Sequence, residues 1–145
     1  GARLLMRLQP SSYTGIDLMP EMIELARQQP GLADAEFLVM NAADMGVFPD
    51  ESKDVVIVFD MLHNAPEWRD VLRECHRVLK PGGQMFLEEV DSWAVRIWDA
   101  LFHWDHPKAA LFQRRELEDQ LRNVGFHIRR RLPLLPFRLY CVAKR

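Results

Sequence analysis

YTGIDLMPEMIELAR, residues 13–27, decides how this chain is read. SYTGIDL (12–18) is short, rich in strand formers and closes on an acid, Asp17. Pro20 then stands at a first helical position, where its missing N–H costs nothing, and Glu21 follows it. Met22, Ile23, Leu25 and Ala26 recur at helical spacing, and Pro30-Gly31 ends the run. A strand that ends in an acid and feeds a helix is half of a parallel β-α-β unit.

The same alternation continues downstream. EFLVMN (36–41) reads as a strand, followed by a polar loop. Asp54-Val-Val-Ile-Val-Phe59 is an unbroken apolar run of strand length, as expected where helices cover both sheet faces. Residues 66–80 form an amphipathic helix with Trp68, Val71, Leu72, Cys75, Val78 and Leu79 inward, stopped by Pro81-Gly82-Gly83. Residues 84–90 are a further strand. Two helical pieces broken around His106-Pro107 occupy 92–125, and Gly125 caps the second. Two strands, 126–132 and 137–143, close the chain, and the short turn between them makes the last one antiparallel. Upstream, Leu4, Leu5 and Leu8 predict a helix over 2–9. The expected fold is α/β: a Rossmann-like, mostly parallel sheet with helices on both faces and an antiparallel last strand, in one domain over 1–145.

Composition narrows the function classes. The chain has 145 residues, 48% hydrophobic and 28% charged, with a net charge of -2, so it has no general electrostatic pull toward nucleic acid or acidic membranes. The basic cluster at His127 and Arg129–Arg131 reads as a solvated face. Cys75 and Cys141 lack C-x-x-C spacing and read as buried free thiols of a reducing compartment, which fits a cytoplasmic protein. His103-Trp-Asp105-His106 lacks a clear fourth metal ligand. No metal is expected.

In open parallel sheets, ligands bind at the carboxyl ends of the strands. Three ends here carry suitable groups. Asp17 offers a carboxylate to a ribose diol. Asn41 offers a side-chain oxygen to an exocyclic amine, with the Ala42 N–H beside it for a ring nitrogen. Phe59 and Asp60 end the third strand.

Three stretches in order, YTGIDLMPEMIELAR (13–27), NAADMGVFPDESKDVVIVFDMLHNAP (41–66) and LRECHRVLKPGGQMFLEEVD (72–91), resemble the class I S-adenosylmethionine-dependent methyltransferases, small-molecule branch. The resemblance implies that S-adenosylmethionine is the cofactor and a small molecule the methyl acceptor. Asp17 then holds the ribose, Leu18 and Met19 line the adenine, Asn41 stands where the family usually has Asp, and Ala42 supplies a backbone N–H. Phe59 lies where the chain passes the methionine part of the cofactor. His63 falls at the mouth of the active site, as a candidate general base. Residues 92–125 match the family's variable substrate cover, with Trp93, Trp98, Phe102 and Trp104 in it.

The resemblance also sets an expectation for the first residue. Counting back from Asp17, Gly1 falls on the last glycine of the family's G-x-G-x-G turn, so the first strand and most of that turn are absent and the domain is expected to be truncated. A central strand cannot be left as a simple gap, because unpaired buried backbone groups cost about 1–3 kcal/mol each. The favoured expectation is therefore a fragment of a longer protein. Were the chain instead the whole product, the strand ending at Asp17 would have to pair with 54–59 directly, or a second copy would insert a strand in a homodimer. Two alternatives to the enzyme remain: a non-catalytic methyltransferase-like domain with impaired cofactor binding, and an unrelated nucleotide-binding oxidoreductase. The LHN at 62–64 fits no dinucleotide pattern.

Overall fold

A computed structural model describes residues 11–32 and 35–145. Gly1 and the helix expected over 2–9 lie outside the described residues. The chain divides into two compact units, the first ending at Met45 and the second starting at Gly46.

The first unit is a β-α-β element. β1 (Thr14–Asp17) pairs in parallel with β2 (Glu36–Val39), Thr14 opposite Glu36 and Asp17 opposite Val39. Between them runs α1 (Pro20–Arg27), with Pro20 in its first turn. Gly15 is required here by close approach: a Cβ on it would stand 2.8 Å from the Phe37 ring. That ring also meets Tyr13 edge to face, with centroids 6.0 Å apart. Arg27 Nη2 donates to the Phe37 carbonyl at 2.9 Å and ties the end of α1 to β2. The inward face of α1 is narrower than its spacing predicts. Ile23 is buried, whereas Met22 and Leu25 are exposed. A two-stranded ribbon is only about 5 Å from strand to strand, enough to cover one row of side chains.

The second unit holds a four-stranded mixed sheet in the order β3-β4-β6-β5. β3 (Lys53–Phe59) and β4 (Leu79–Val90) are parallel. β6 (Phe137–Lys144) is antiparallel to β4, and β5 (Phe126–Leu134) is antiparallel to β6 at the edge. The helices are α2 (Trp68–Val78), α3 (Ser92–Phe102) and α4 (Arg114–Val124). All six residues expected to face inward from α2 and its end are buried, with Trp68 and Leu72 fully so. Met85 and Leu87 of β4, Leu121 of α4 and Val142 of β6 complete that core. Phe112 packs on Trp68 with ring centroids 4.4 Å apart.

Three details depart from the sequence reading. α2 already ends at Val78, and β4 starts at Leu79 instead of 84. Pro81-Gly82-Gly83 is absorbed as an irregularity in the ladder, where Lys53 faces Leu79 but Val55 faces Gln84. The thiols differ too: Cys75 is buried and pushed up to about 12 by that burial, whereas Cys141 is only half-buried. Finally, β1 and β3 belong to different sheets, so the direct pairing of 12–18 with 54–59, one of the two arrangements expected of a complete product, is not formed among the described residues.

Gly125 ends α4 at φ +112°, and a Cβ there would also stand 2.8 Å from His76 Nε2. Both the left-handed backbone and the close ring call for glycine. Gly125→Ala should therefore cost about 1–3 kcal/mol in urea unfolding. An unchanged unfolding midpoint would contradict this account of the cap.

Candidate functional site

In the first unit, Asp17 closes β1 and is half-buried. Its Oδ1 accepts the Met19 N–H at 2.9 Å, which turns the chain into α1 and fixes the carboxylate at the strand end. The Asp17 carbonyl accepts from Met40 N at 2.9 Å, so the end of β2 is held beside it. Asn41 follows at once. Its Oδ1 accepts the Ala43 N–H at 2.9 Å, a local turn that uses one of the two lone pairs the oxygen offers. Leu18 and Met19 are exposed next to the carboxylate. Asp17, Leu18, Met19, Asn41 and Ala42 thus gather at the carboxyl end of one parallel pair. The set fits a nucleoside: a fixed carboxylate for a diol, apolar side chains for a ring, and a remaining acceptor for an amine.

The second unit gathers a different set. The Asp60 N–H donates to the Glu88 carbonyl at 3.0 Å, extending the β3–β4 ladder past Phe59. The chain then leaves the sheet through Asp60, at φ +52°, and forms one 3-10 turn, Leu62–Asn64. That turn sits over Glu89 of β4, which is only 2% exposed. Three N–H groups converge on its carboxylate. Leu62 N donates to Oε2 at 2.9 Å, while Val90 N at 2.8 Å and His63 Nδ1 at 2.5 Å donate to Oε1. A carboxylate only accepts, so His63 carries hydrogen on Nδ1. Its other nitrogen, Nε2, lies 3.1 Å from Asn64 Nδ2.

Electrostatics follow from this arrangement. Burial alone would lower the His63 midpoint, but the Glu89 hydrogen bond and charge, with Asp60 and Asp99 adding, outweigh it and raise the midpoint above its ordinary value. Asp60 Oδ1 is 3.9 Å from His63 Nδ1. Asp60, His63 and Glu89 lie close enough together to invite a metal reading. Their bonding argues otherwise. Nδ1 is committed as a donor to Glu89, and both Glu89 oxygens already take backbone N–H groups.

Residues 92–125 contribute a second imidazole. His106 Nδ1 lies 2.5 Å from Asp99 Oδ1 of α3. The ring of His106 stands 5.3 Å, centroid to centroid, from that of His63, and Trp104 stands 6.0 Å from His106 on an approach of its own. Trp98 is half-buried against Val90, Ala94, Val95 and Phe137. Trp93, Phe102 and Trp104 are exposed. The basic cluster is solvated, with Arg131 paired to Glu118 at 2.9 Å.

His63 and Phe59 thus belong to one unit, and the Asp17–Asn41 set to the other. Sequence reasoning passed over Glu89. The signal was present: Met85, Leu87 and Glu89 share one phase of a strand, so an inward pair predicts an inward acid.

The raised His63 midpoint has a definite sign in stability. The folded chain holds this proton more tightly than the unfolded chain, so the gain is full below about pH 6.5 and is lost as pH rises through the folded midpoint. The urea midpoint difference between the native chain and Glu89→Gln should accordingly be wider near about pH 5.5 than near about pH 9. A difference that does not change with pH would contradict the coupling of His63 to Glu89.

Comparison with known proteins identifies the family. A family model described as "Methyltransferase domain" matches residues 1–87. Demethylmenaquinone methyltransferase of Listeria welshimeri is 36% identical over 93 residues, 62% of this chain and 39% of its own length. Phthiotriol/phenolphthiotriol dimycocerosates methyltransferase of Mycobacterium tuberculosis is 35% identical over 127 residues, 86% of this chain and 46% of its own length. The chain therefore spans less than half the length of these curated relatives. A SAM-dependent methyltransferase of Methanosarcina mazei superposes with a TM-score of 0.71 at 25% identity, covering 99% of this chain and 85% of that one. With the family model matching more than half of the residues, the chain belongs to the class I S-adenosylmethionine-dependent methyltransferases.

Proposed function

We propose that this chain acts in methyl transfer from S-adenosylmethionine to a small-molecule acceptor, as one methyltransferase domain over 1–145 whose residues 92–125 cover the acceptor. The observation that carries the reading is the fixed carboxylate of Asp17 at the carboxyl end of β1, beside the Asn41 turn. The two relatives named above are, by name, a demethylmenaquinone methyltransferase and a phthiotriol/phenolphthiotriol dimycocerosates methyltransferase, which supports a small-molecule acceptor.

In this reading Asp17 accepts the ribose hydroxyls, Leu18 and Met19 flank the adenine, and Asn41 and the Ala42 N–H read its edge. Phe59 borders the methionine part, while Gly1, counted to the family's glycine turn, lies outside the described residues. The cofactor supplies a methyl group made electrophilic by a sulfonium. The chain's own work is to hold acceptor and methyl group in line and to take up a proton, the latter at His63. With hydrogen held on Nδ1 by Glu89, Nε2 is the accepting nitrogen, and an acceptor's hydrogen would replace the Asn64 Nδ2–H that lies 3.1 Å from it.

One observation favours a second reading, a methyltransferase-like domain with impaired cofactor binding that dimerises: the parallel pairs β1–β2 and β3–β4 lie in separate sheets. Titration calorimetry with S-adenosylmethionine, run beside sedimentation, separates the two. Saturable binding by a monomer supports the enzyme. Asp17→Ala should weaken that binding by about 1.5–3 kcal/mol, the worth of hydrogen bonds to a charged group. Asn41→Asp should preserve it, because the acceptor oxygen is kept. A dimer without heat of binding would leave the second reading standing, and unchanged affinity in Asp17→Ala would remove Asp17 from the site.

A further inference from the structure

We infer that the tip of the β5–β6 hairpin and the outer face of α3 form a docking surface for an anionic lipid bilayer. The inference goes beyond methyl transfer and does not depend on it.

The first observation is charge. Residues 126–145 carry six Lys and Arg and no Asp or Glu, whereas the whole chain has 19 basic and 21 acidic side chains. The net charge of -2 thus hides a basic hairpin on an otherwise acidic chain. Arg131, Arg138 and Lys144 of the hairpin pair with Glu118, Asp91 and Glu51. No such pair engages the exposed Arg129 and Arg130 among the described residues.

The second is apolar exposure on the same hairpin. The register shifts between Ile128 and Arg130, which leaves Arg129 as the extra residue of a bulge. From there Arg130, Leu132 and Leu134 follow at every second position and share one face of the edge strand. Leu132 and Leu134 are exposed, and Leu135 in the turn is 73% exposed. Arginines on an edge strand serve as protection against pairing with another sheet. Three exposed leucines beyond them work against that purpose and leave apolar area for a partner to cover.

The third is α3, which starts beside the tip. Leu134 faces Phe137 and Phe137 faces Val90, so the tip lies at the carboxyl end of β4, the end that carries the His63 turn. Asp91 N donates to the Pro136 carbonyl at 2.9 Å, and Arg138 Nε donates to Asp91 Oδ1 at 2.6 Å. The inner side of α3 packs through Ala94, Val95 and Trp98. Trp93, Ile97 and Leu101, four residues apart, are exposed where a surface helix ordinarily carries charge. Arg96 is the only exposed charged residue of this helix.

A bilayer suits both parts. An anionic headgroup layer draws arginines, each worth roughly fivefold in affinity. The acyl boundary takes leucine, and tryptophan favours the interface between the two. Nucleic acid would use the arginines but leave the leucines in water.

The test is flotation of the chain with vesicles of phosphatidylcholine, with and without phosphatidylglycerol. Binding should require phosphatidylglycerol and weaken as salt rises. Arg129→Gln/Arg130→Gln should lower affinity for the anionic vesicles by about 25-fold, and Leu134→Ser/Leu135→Ser by about tenfold or more. Lipid brominated in its acyl chains should quench tryptophan emission, and Trp93→Phe should reduce that quenching. No binding to anionic vesicles, or equal binding to both kinds, overturns the inference. So does an affinity unchanged in the leucine variant, or in the arginine variant if the leucine variant does not fold. Capture by single-stranded RNA without vesicle binding would assign the hairpin to nucleic acid instead. A dimer in sedimentation that the leucine variant disrupts, again without vesicle binding, would assign it to a second copy. Every readout is made without S-adenosylmethionine, so the methyl-transfer reading stands or falls separately.

Discussion

A carboxylate that is 2% exposed cannot stand alone, and the second unit is arranged around that requirement at Glu89. Removing one member of a buried charge pair typically costs about 3–5 kcal/mol, so its partners are not optional. They come from three directions: the 3-10 turn after β3, the Val90 amide of its own strand, and the His63 ring. The β3–β4 ladder puts them in reach. Phe59 pairs with Glu88, Asp60 adds one more backbone bond, and the chain then has to turn over the strand end. Satisfying the acid and placing the imidazole are one structural event.

The two units carry different sets of polar groups. The first presents fixed polar groups and exposed apolar side chains at the end of a parallel pair, suited to holding a nucleoside. The second presents a buried acid, an oriented imidazole and, from residues 92–125, a second imidazole–carboxylate pair. No described helix is long and apolar enough to cross a membrane.

Much of this was legible in the residues, for local reasons. Pro20 starting a helix, Gly125 ending one and the alternating core of α2 follow from short-range chemistry that neighbours do not overrule. Asp17 could be read as a strand-end acid for the same reason. What was missed depends on contacts distant in sequence. Glu89 is an acid beside another acid, and only the phase of β4 tells which of Glu88 and Glu89 points inward. The partner of His106 is Asp99, seven residues back across the end of α3, and not the adjacent Asp105. The start of β4 was misplaced because Gly82 and Gly83 look like a stop, whereas the sheet tolerates them as an irregularity opposite Lys53–Val55.

The central claim is that a methyltransferase-family chain holds the cofactor's nucleoside at the end of β1 and β2. A crystal of this chain soaked in S-adenosylhomocysteine tests it most directly. The account predicts ribose hydroxyls on the Asp17 carboxylate, with the adenine against Leu18 and Met19 and its amine toward Asn41. Ligand bound elsewhere, or ordered with the Asp17 carboxylate unengaged, would contradict it.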